Sequence, residues 1–361
     1  CLRASVVKKL NRGGTEARRK RHKKTMTGIL LVNLGTPDAP TRGAVYRYLK
    51  QFLLDPRVID INPIARNLLV RGIIAPFRSG KSAEAYQLLW TQNGSPLKYY
   101  GQRLTEQVQQ LLGEQYRVEL AMRYQNPSIE SAIGRLMAAA VQKIVVFPLF
   151  PQYAGATTGS VHEEVMRVLS KQQIIPGTVF INSYPQHPRL VKLFADNARK
   201  YDTGSYDHIL FSYHGLPQRQ LRKADAFNHC LQQADCCRRL TDVNRFCYSA
   251  QCYATTEAIA RELVLPESRY SVCFQSRLGR DPWTQPYTVQ VIENLAKQGA
   301  KRLLVFCPAF TADCLETTIE IGTEYREDFI RWGGEQLDLV ESLNDAPAWA
   351  ETVAEMCREG F

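Results

Sequence analysis

The sequence contains no apolar run of the roughly 18–20 residues needed to cross a bilayer. Stretches such as Ile144–Phe150 are strand-sized and broken by Pro148. The first 25 residues hold no apolar h-region, so a secretory signal is excluded. Ten cysteines in 361 residues fall well below the density of a disulfide scaffold. Acidic charge is scarce at the start of the chain. Residues 1–25 carry Arg3, Lys8, Lys9, Arg12, Arg18, Arg19, Lys20, Arg21, Lys23 and Lys24 against Glu16 alone, so nine of the eleven net positive charges sit there. The remainder, 26–361, is nearly neutral at +2, which removes the main reason to expect nucleic acid as a partner. The head has no initiating Met, whereas Met26 directly precedes the first strand-like run. We read residues 1–25 as a basic tail outside the fold, either a cloning scar or read-through upstream sequence. A transit peptide and a nucleic-acid-binding tail are the alternatives.

What is present is globular: 45% hydrophobic and 22% charged residues suffice for a sizeable core. The length predicts about two domains, and runs in the first half have counterparts in the second. Gly28–Leu34 leads into Gly35-Thr36-Pro37 and His208–Tyr213 into His214-Gly215-Leu216-Pro217, while Lys143–Phe147 pairs with Arg302–Phe306. Each later run follows an Asn-Pro or Asp-Pro step (Asn126-Pro127, Asp281-Pro282) and a helical pattern, the second of which (Val289, Ile292, Leu295, Ala296) has Gly299 as its C-cap candidate. Each ends in a loop with Thr-Thr: Thr157-Thr158 and Thr317-Thr318. Short, continuous, β-branched runs alternating with helices predict buried parallel strands in βαβ units. The expected fold is α/β: two similar Rossmann-like domains, 26–180 and 181–325, each a mainly parallel sheet flanked by helices. A helical segment, 326–361, is expected to pack back on the first domain. Ligands of such sheets bind beyond the carboxyl ends of the strands, where His214 and Asp313–Glu316 fall.

Residues 218–251 interrupt this pattern and read as an inserted loop with four cysteines: Cys230, Cys236, Cys237 and Cys247. A loop that buries no apolar face needs another way to offset its ordering entropy, and a metal held by thiolates would provide it. The spacing C-x5-C-C-x9-C suits a [2Fe–2S] cluster or an all-thiolate zinc site, with reduced thiols as the plain alternative. The adjacent pair Cys236-Cys237 leans away from zinc. His229 reads as an exposed loop residue. Cys273 and Cys307 read as small core hydrophobes.

His214 stands where an apolar strand stops and Gly215-Leu-Pro217 turns the chain, a position that favours ligand contact. Glu316, Glu320 and Glu324 are spaced four apart and would form one acidic stripe on a helix, suggesting a route for cations or protons. Arg123, Tyr124, Tyr153 and Trp283 crowd the same edge, and aromatic faces with an Arg fit a flat, acidic, hydrophobic ligand.

Taken together, Val32–Pro37, Met122-Arg-Tyr124, Pro151-Gln-Tyr153 with Thr157–Ser160, Ser212–Pro217, Phe274–Gly279 with Pro282-Trp283, and Asp313–Thr317 resemble the ferrochelatase family, in order from Met26 to about Met356. The resemblance implies a two-domain chelatase fold and insertion of Fe2+ into protoporphyrin IX, the last step of haem synthesis. The family's catalytic His falls on His214, its essential Glu on Glu316, and its acidic stripe, for substrate iron or protons, on Glu320 and Glu324. Porphyrin contacts fall on Leu34, Arg123, Tyr124, Tyr153 and Trp283. The internal loop resembles the insert of bacterial members that carry a [2Fe–2S] centre, which assigns the cluster to Cys230, Cys236, Cys237 and Cys247. Cys252, in Gln-Cys-Tyr-Ala-Thr-Thr256, resembles a Cys of members without a cluster and is left out. Many members have His where Cys314 stands, which argues against two histidines at the metal. The implied partners are protoporphyrin IX and Fe2+, with a peripheral membrane contact for handing on an apolar product. The implied location is the cytoplasm. A chelatase for a related ring such as coproporphyrin, or a non-catalytic haem or metal carrier, is the alternative.

Overall fold

The computed structural model describes residues 26–279 and 281–359; the expected basic tail, 1–25, lies outside the described residues. Two four-stranded sheets, each parallel throughout, form the framework. The first has the order β2-β1-β3-β4, built from β1 (Thr27–Gly35), β2 (Tyr116–Tyr124), β3 (Lys143–Pro148) and β4 (Gly177–Phe180). The second repeats it as β6-β5-β7-β8, from β5 (His208–His214), β6 (Tyr270–Gln275), β7 (Arg302–Phe306) and β8 (Gln336–Leu339). The α/β class and the doubling read from the sequence both hold. Ile29, Leu30, Leu31 and Val32 have no exposed surface, as expected of a strand covered on both faces.

Helices cover the sheets: α1 (Arg42–Leu53), α2 (Pro63–Leu68), α3 (Ala75–Leu89), α4 (Pro96–Leu112), α5 (Ile129–Ala138), α6 (Ser160–Leu169) and α7 (Pro188–Ala198) in the first half. The second half adds α8 (Gln218–Lys223), α9 (Tyr248–Glu262), α10 (Thr288–Lys297), α11 (Arg326–Arg331) and α12 (Pro347–Glu359). Local chemistry sets their ends. Asn62 accepts from the Ile64 N–H and Ser128 Oγ from the Ser131 N–H, each satisfying an orphan donor of α2 or α5. Gly299, at φ +94°, ends α10 as its sequence suggests, with the Ala300 N–H returning to the Leu295 carbonyl.

Three details differ from the sequence reading. The counterpart of Asn126-Pro127 is Gln285-Pro286 and not Asp281-Pro282. Both true counterparts are cis, and their prolyl carbonyls accept from Met122 N (2.7 Å) and Phe274 N (2.8 Å), the matching positions of β2 and β6. The second sheet does not stop at residue 325, because β8 pairs with β7 in the register Arg302↔Gln336. The inserted loop is shorter than 218–251: its first six residues form α8 and its last four the first turn of α9.

The largest apolar cluster spans both halves. It contains Ile29 and Phe147 of the first sheet, Phe211 and Phe306 of the second, and Trp349 and Met356 of α12. Each such side chain contributes about 1.5–3 kcal/mol by leaving water. The helix α12 lies against α4 and α7.

Candidate active site at the carboxyl edges of the two sheets

His214 is the last residue of β5, half-buried, and paired in register with Gln275 of β6. Its Nδ1 lies 2.7 Å from the Gly215 carbonyl. A carbonyl only accepts, so Nδ1 carries a proton, and in the neutral ring it is Nε2 that holds the lone pair for a proton or a metal. The ring centre is 6.3 Å from that of Trp283. Only glycine fits next to it: a Cβ on Gly215 would stand 2.9 Å from the Gln275 carbonyl and 3.1 Å from the Trp283 ring.

The acidic stripe lies on Leu315–Tyr325, which winds with the wider i→i+5 turn of a π-helix and not as the α-helix expected. Such turns recur at functional sites. The carboxylates grade outward, Glu316 and Glu320 half-buried and Glu324 exposed. Gln275 anchors the segment, its amide donating to the Glu316 carbonyl (2.8 Å) and to Glu320 (3.1 Å). His214 and Glu316 are thus positioned by the same residue of β6. Glu320 is fully engaged, also accepting from Ser276 N (2.9 Å), Ser276 Oγ (2.5 Å) and Tyr325 Oη (3.0 Å). Partial burial and the Glu320 charge raise the Glu324 carboxyl above its usual range, against Lys81. Behind Glu316, burial and its charge push the phenols of Tyr48 and Tyr86 up, so both remain protonated. Burial also raises the Cys314 thiol, followed by the Glu316 charge. That position therefore offers a neutral thiol and no second imidazole.

Across the edge, Arg123 and Tyr124 end β2 and converge on a residue the sequence reading missed. Asp55 Oδ2 accepts from Arg123 Nη2 (2.7 Å), Tyr124 Oη (2.8 Å) and Ser160 Oγ (2.6 Å), and Oδ1 from the Arg57 N–H (2.7 Å). Tyr124 has no exposed surface and donates its phenolic proton to Asp55, so it also braces the wall from behind. Trp283 is also largely buried, whereas Leu34 and Tyr153 are half-buried. Leu34, Tyr124 and Ile319 share one apolar cluster, so the acidic segment packs against the first half. The Asp-Pro step closing an apolar helix was the available signal for Asp55.

In the cysteine loop, Cys236 and Cys237 sulfurs lie 3.6 Å apart and those of Cys237 and Cys247 3.9 Å apart. With Cys230, they line a cavity of about 200 Å³ beside His229 and Phe246. Burial and the neighbouring thiols push Cys230 up to about 11. The contact between the two thiols raises Cys237 and lowers Cys247. Among the described residues, no group of three or more His, Cys, Asp or Glu is arranged to hold a metal ion as it stands. The donor chemistry nonetheless fits: two thiolates bound tetrahedrally at about 2.3 Å would sit about 3.8 Å apart, near both separations.

Comparison with known proteins places these motifs in a family. The solved structures of SirB from Bacillus subtilis with Fe3+ (TM-score 0.48, 14% identity, 93% of this chain and 96% of that one) and of CbiX, the terminal enzyme for biosynthesis of siroheme in denitrifying bacteria (TM-score 0.46, 12% identity, 92% and 99%), are similar to it. The chain is 47% identical to the ferrochelatase of Azotobacter vinelandii over 332 residues, covering 91% of this chain and 98% of that protein. It is 43% identical to that of Legionella pneumophila strain Lens, covering 92% and 99%. The ferrochelatase family pattern matches residues 26–361, and the chain belongs to the ferrochelatase family.

Proposed function

We propose that the protein inserts Fe2+ into protoporphyrin IX to give protohaem. Besides the family, the observation that carries this is the free Nε2 of His214 at a carboxyl edge where the acidic segment is anchored through Gln275. Metallation removes two pyrrole protons and strips water from Fe2+. A planar ring resists, because its nitrogen lone pairs lie in plane; a rigid wall that holds the ring bent lowers that barrier. The Nε2 of His214 accepts a pyrrole proton or ligates iron, and Glu316 acts from the acidic segment. Glu320, held by four donors, serves as a fixed charge, and the exposed Glu324 is the outer end of the path for protons or metal. Leu34, Arg123, Tyr153 and Trp283 form the ring's surroundings. Anaerobic incubation of the pure protein with Fe2+ and protoporphyrin tests the reading by catalytic protohaem formation. Turnover only with coproporphyrin, or stoichiometric binding without turnover, would replace it with a related chelatase or a carrier.

Cys230, Cys236, Cys237 and Cys247 would hold a [2Fe–2S] cluster, which supplies a one-electron couple and four bonds that order the loop. The pure protein should then absorb in the visible and contain two irons per chain, both lost in Cys236→Ser. A colourless, iron-free wild type would count against it.

A reducing compartment such as the cytoplasm suits the nine free cysteines among the described residues. No helix among those residues is long and apolar enough to cross a membrane. A peripheral contact is supported by Ile64, Leu68 and Phe77, which are 73%, 70% and 79% exposed on the α2–α3 segment beside Arg71, Arg78 and Lys81. Flotation with anionic vesicles should carry the protein, and Phe77→Glu should lose it; equal flotation of both would remove this face from the account.

A further inference from the structure

We propose that Tyr248 is a positioning residue for His214, and that through it the first turn of α9 carries the order of the cysteine loop into the active site. The inference rests on the reading of His214 as the reacting imidazole. Tyr248 directly follows Cys247, is buried, and donates its phenolic proton to the His214 carbonyl at 2.9 Å. The register of β5 with β7 ends at Phe211↔Phe306, three residues before His214. Beyond that point, the peptide joining His214 to Gly215 is held at two ends from two sources. Its N–H donates to the Gln275 carbonyl of β6 (2.8 Å), and its carbonyl accepts from Tyr248 of α9. The next carbonyl, that of Gly215, is the one that fixes the His214 ring through Nδ1. Removing the phenol leaves the peptide tethered at one end, and the imidazole turns with it.

The loop reaches this turn through its own hydrogen bonds. The buried Asn244 donates to the carbonyls of Cys236 (3.0 Å) and Arg239 (2.8 Å) and accepts from the Thr241 N–H (2.7 Å). Its carbonyl takes the Cys247 N–H (2.7 Å), which sets the start of α9. One turn on, Gln251 donates to the Arg245 carbonyl and accepts the Tyr153 N–H at 2.7 Å, so the opposite wall is held from the same place. Whatever orders the loop therefore acts on both the imidazole and Tyr153.

Tyr248→Phe removes one hydroxyl and keeps the ring. The measurements are kcat and KM for porphyrin on the protein as purified, and the 15N resonance of the His214 ring, assigned by its loss in His214→Gln. We expect KM within about twofold, kcat lower by roughly three- to tenfold as befits one net hydrogen bond, and a displaced or broadened His214 resonance. Loosening the loop by Asn244→Ala should move that resonance in the parent and leave it unmoved in the Tyr248→Phe background. Unchanged kcat and resonance in Tyr248→Phe would overturn the proposal. So would a raised KM at unchanged kcat, which makes Tyr248 part of the porphyrin wall, or an Asn244→Ala shift that persists in the double variant. If His214→Ala were fully active, the reading of His214 would fall while the resonance coupling still reported the relay.

Discussion

His214→Ala abolishes metallation while porphyrin still binds: the rate of protohaem formation falls by at least about a hundredfold, the lower range for removing a positioned acid–base group. The reason is specific to this geometry. Nδ1 is committed to the Gly215 carbonyl, so the ring presents one nitrogen, and no second imidazole stands at Cys314 to replace it. Binding should survive, because the ring's surroundings come from other elements: Leu34 on β1, Arg123 on β2 and Tyr153 beyond β3. Porphyrin fluorescence titration and a single-turnover iron insertion assay separate the two quantities. Added imidazole should restore part of the rate, since only the Nε2 lone pair is missing. Near-normal turnover, or loss of binding in step with loss of rate, would sink the assignment.

What the sequence disclosed followed the strength of the local signal. Continuous apolar runs flanked by Gly and Pro identified β1, β3, β5 and β7, because a strand buried on both faces leaves no polar alternation to confuse it. β8 escaped because Gln336-Leu-Asp-Leu339 is four residues long and alternates like a surface turn; only pairing with β7 makes it a strand. The Pro steps misled for a related reason. Asp281-Pro282 and Gln285-Pro286 are four residues apart, and only the hydrogen bond to Phe274 N tells which one closes the β6 turn. At the site, His214 and the three glutamates were legible as residue types in a telling place. Their supports were not: Gln275 and Ser276 lie inside the Phe274–Gly279 motif and Asp55 in an Asp-Pro step, but nothing local gives them their roles, which arise from partners 41 to 105 positions away in the chain. Tyr124 shows the limit most plainly. An Arg-Tyr pair at a strand end looks like a binding surface, and only the fold shows the phenol bonded to a buried carboxylate.

Asp55→Ala should be the most destabilising single change on the first-half side of the site. The carboxyl side chain is 3% exposed and the Arg123 side chain 15%, with Tyr124 and Ser160 fully buried around them. Deleting the carboxylate strands a guanidinium and two hydroxyls in a region water barely reaches. Breaking a buried pair by removing one partner costs about 3–5 kcal/mol, far more than a surface ion pair contributes. Arg123 retains Ser160 through Nε at 2.7 Å, so the wall should loosen and not collapse outright. Asp55→Asn keeps an acceptor for the phenol and the Ser160 hydroxyl and loses the charge, so it should fall between the parent and Asp55→Ala. Denaturant unfolding of the three proteins measures the order. The same series decides what Arg123 and Tyr124 are for. If they support the wall, stability drops first and KM for porphyrin follows it. If they touch the ring directly, KM rises while the unfolding midpoint stays where it was, and the buried network around Asp55 would have to be read as part of the ligand surface after all.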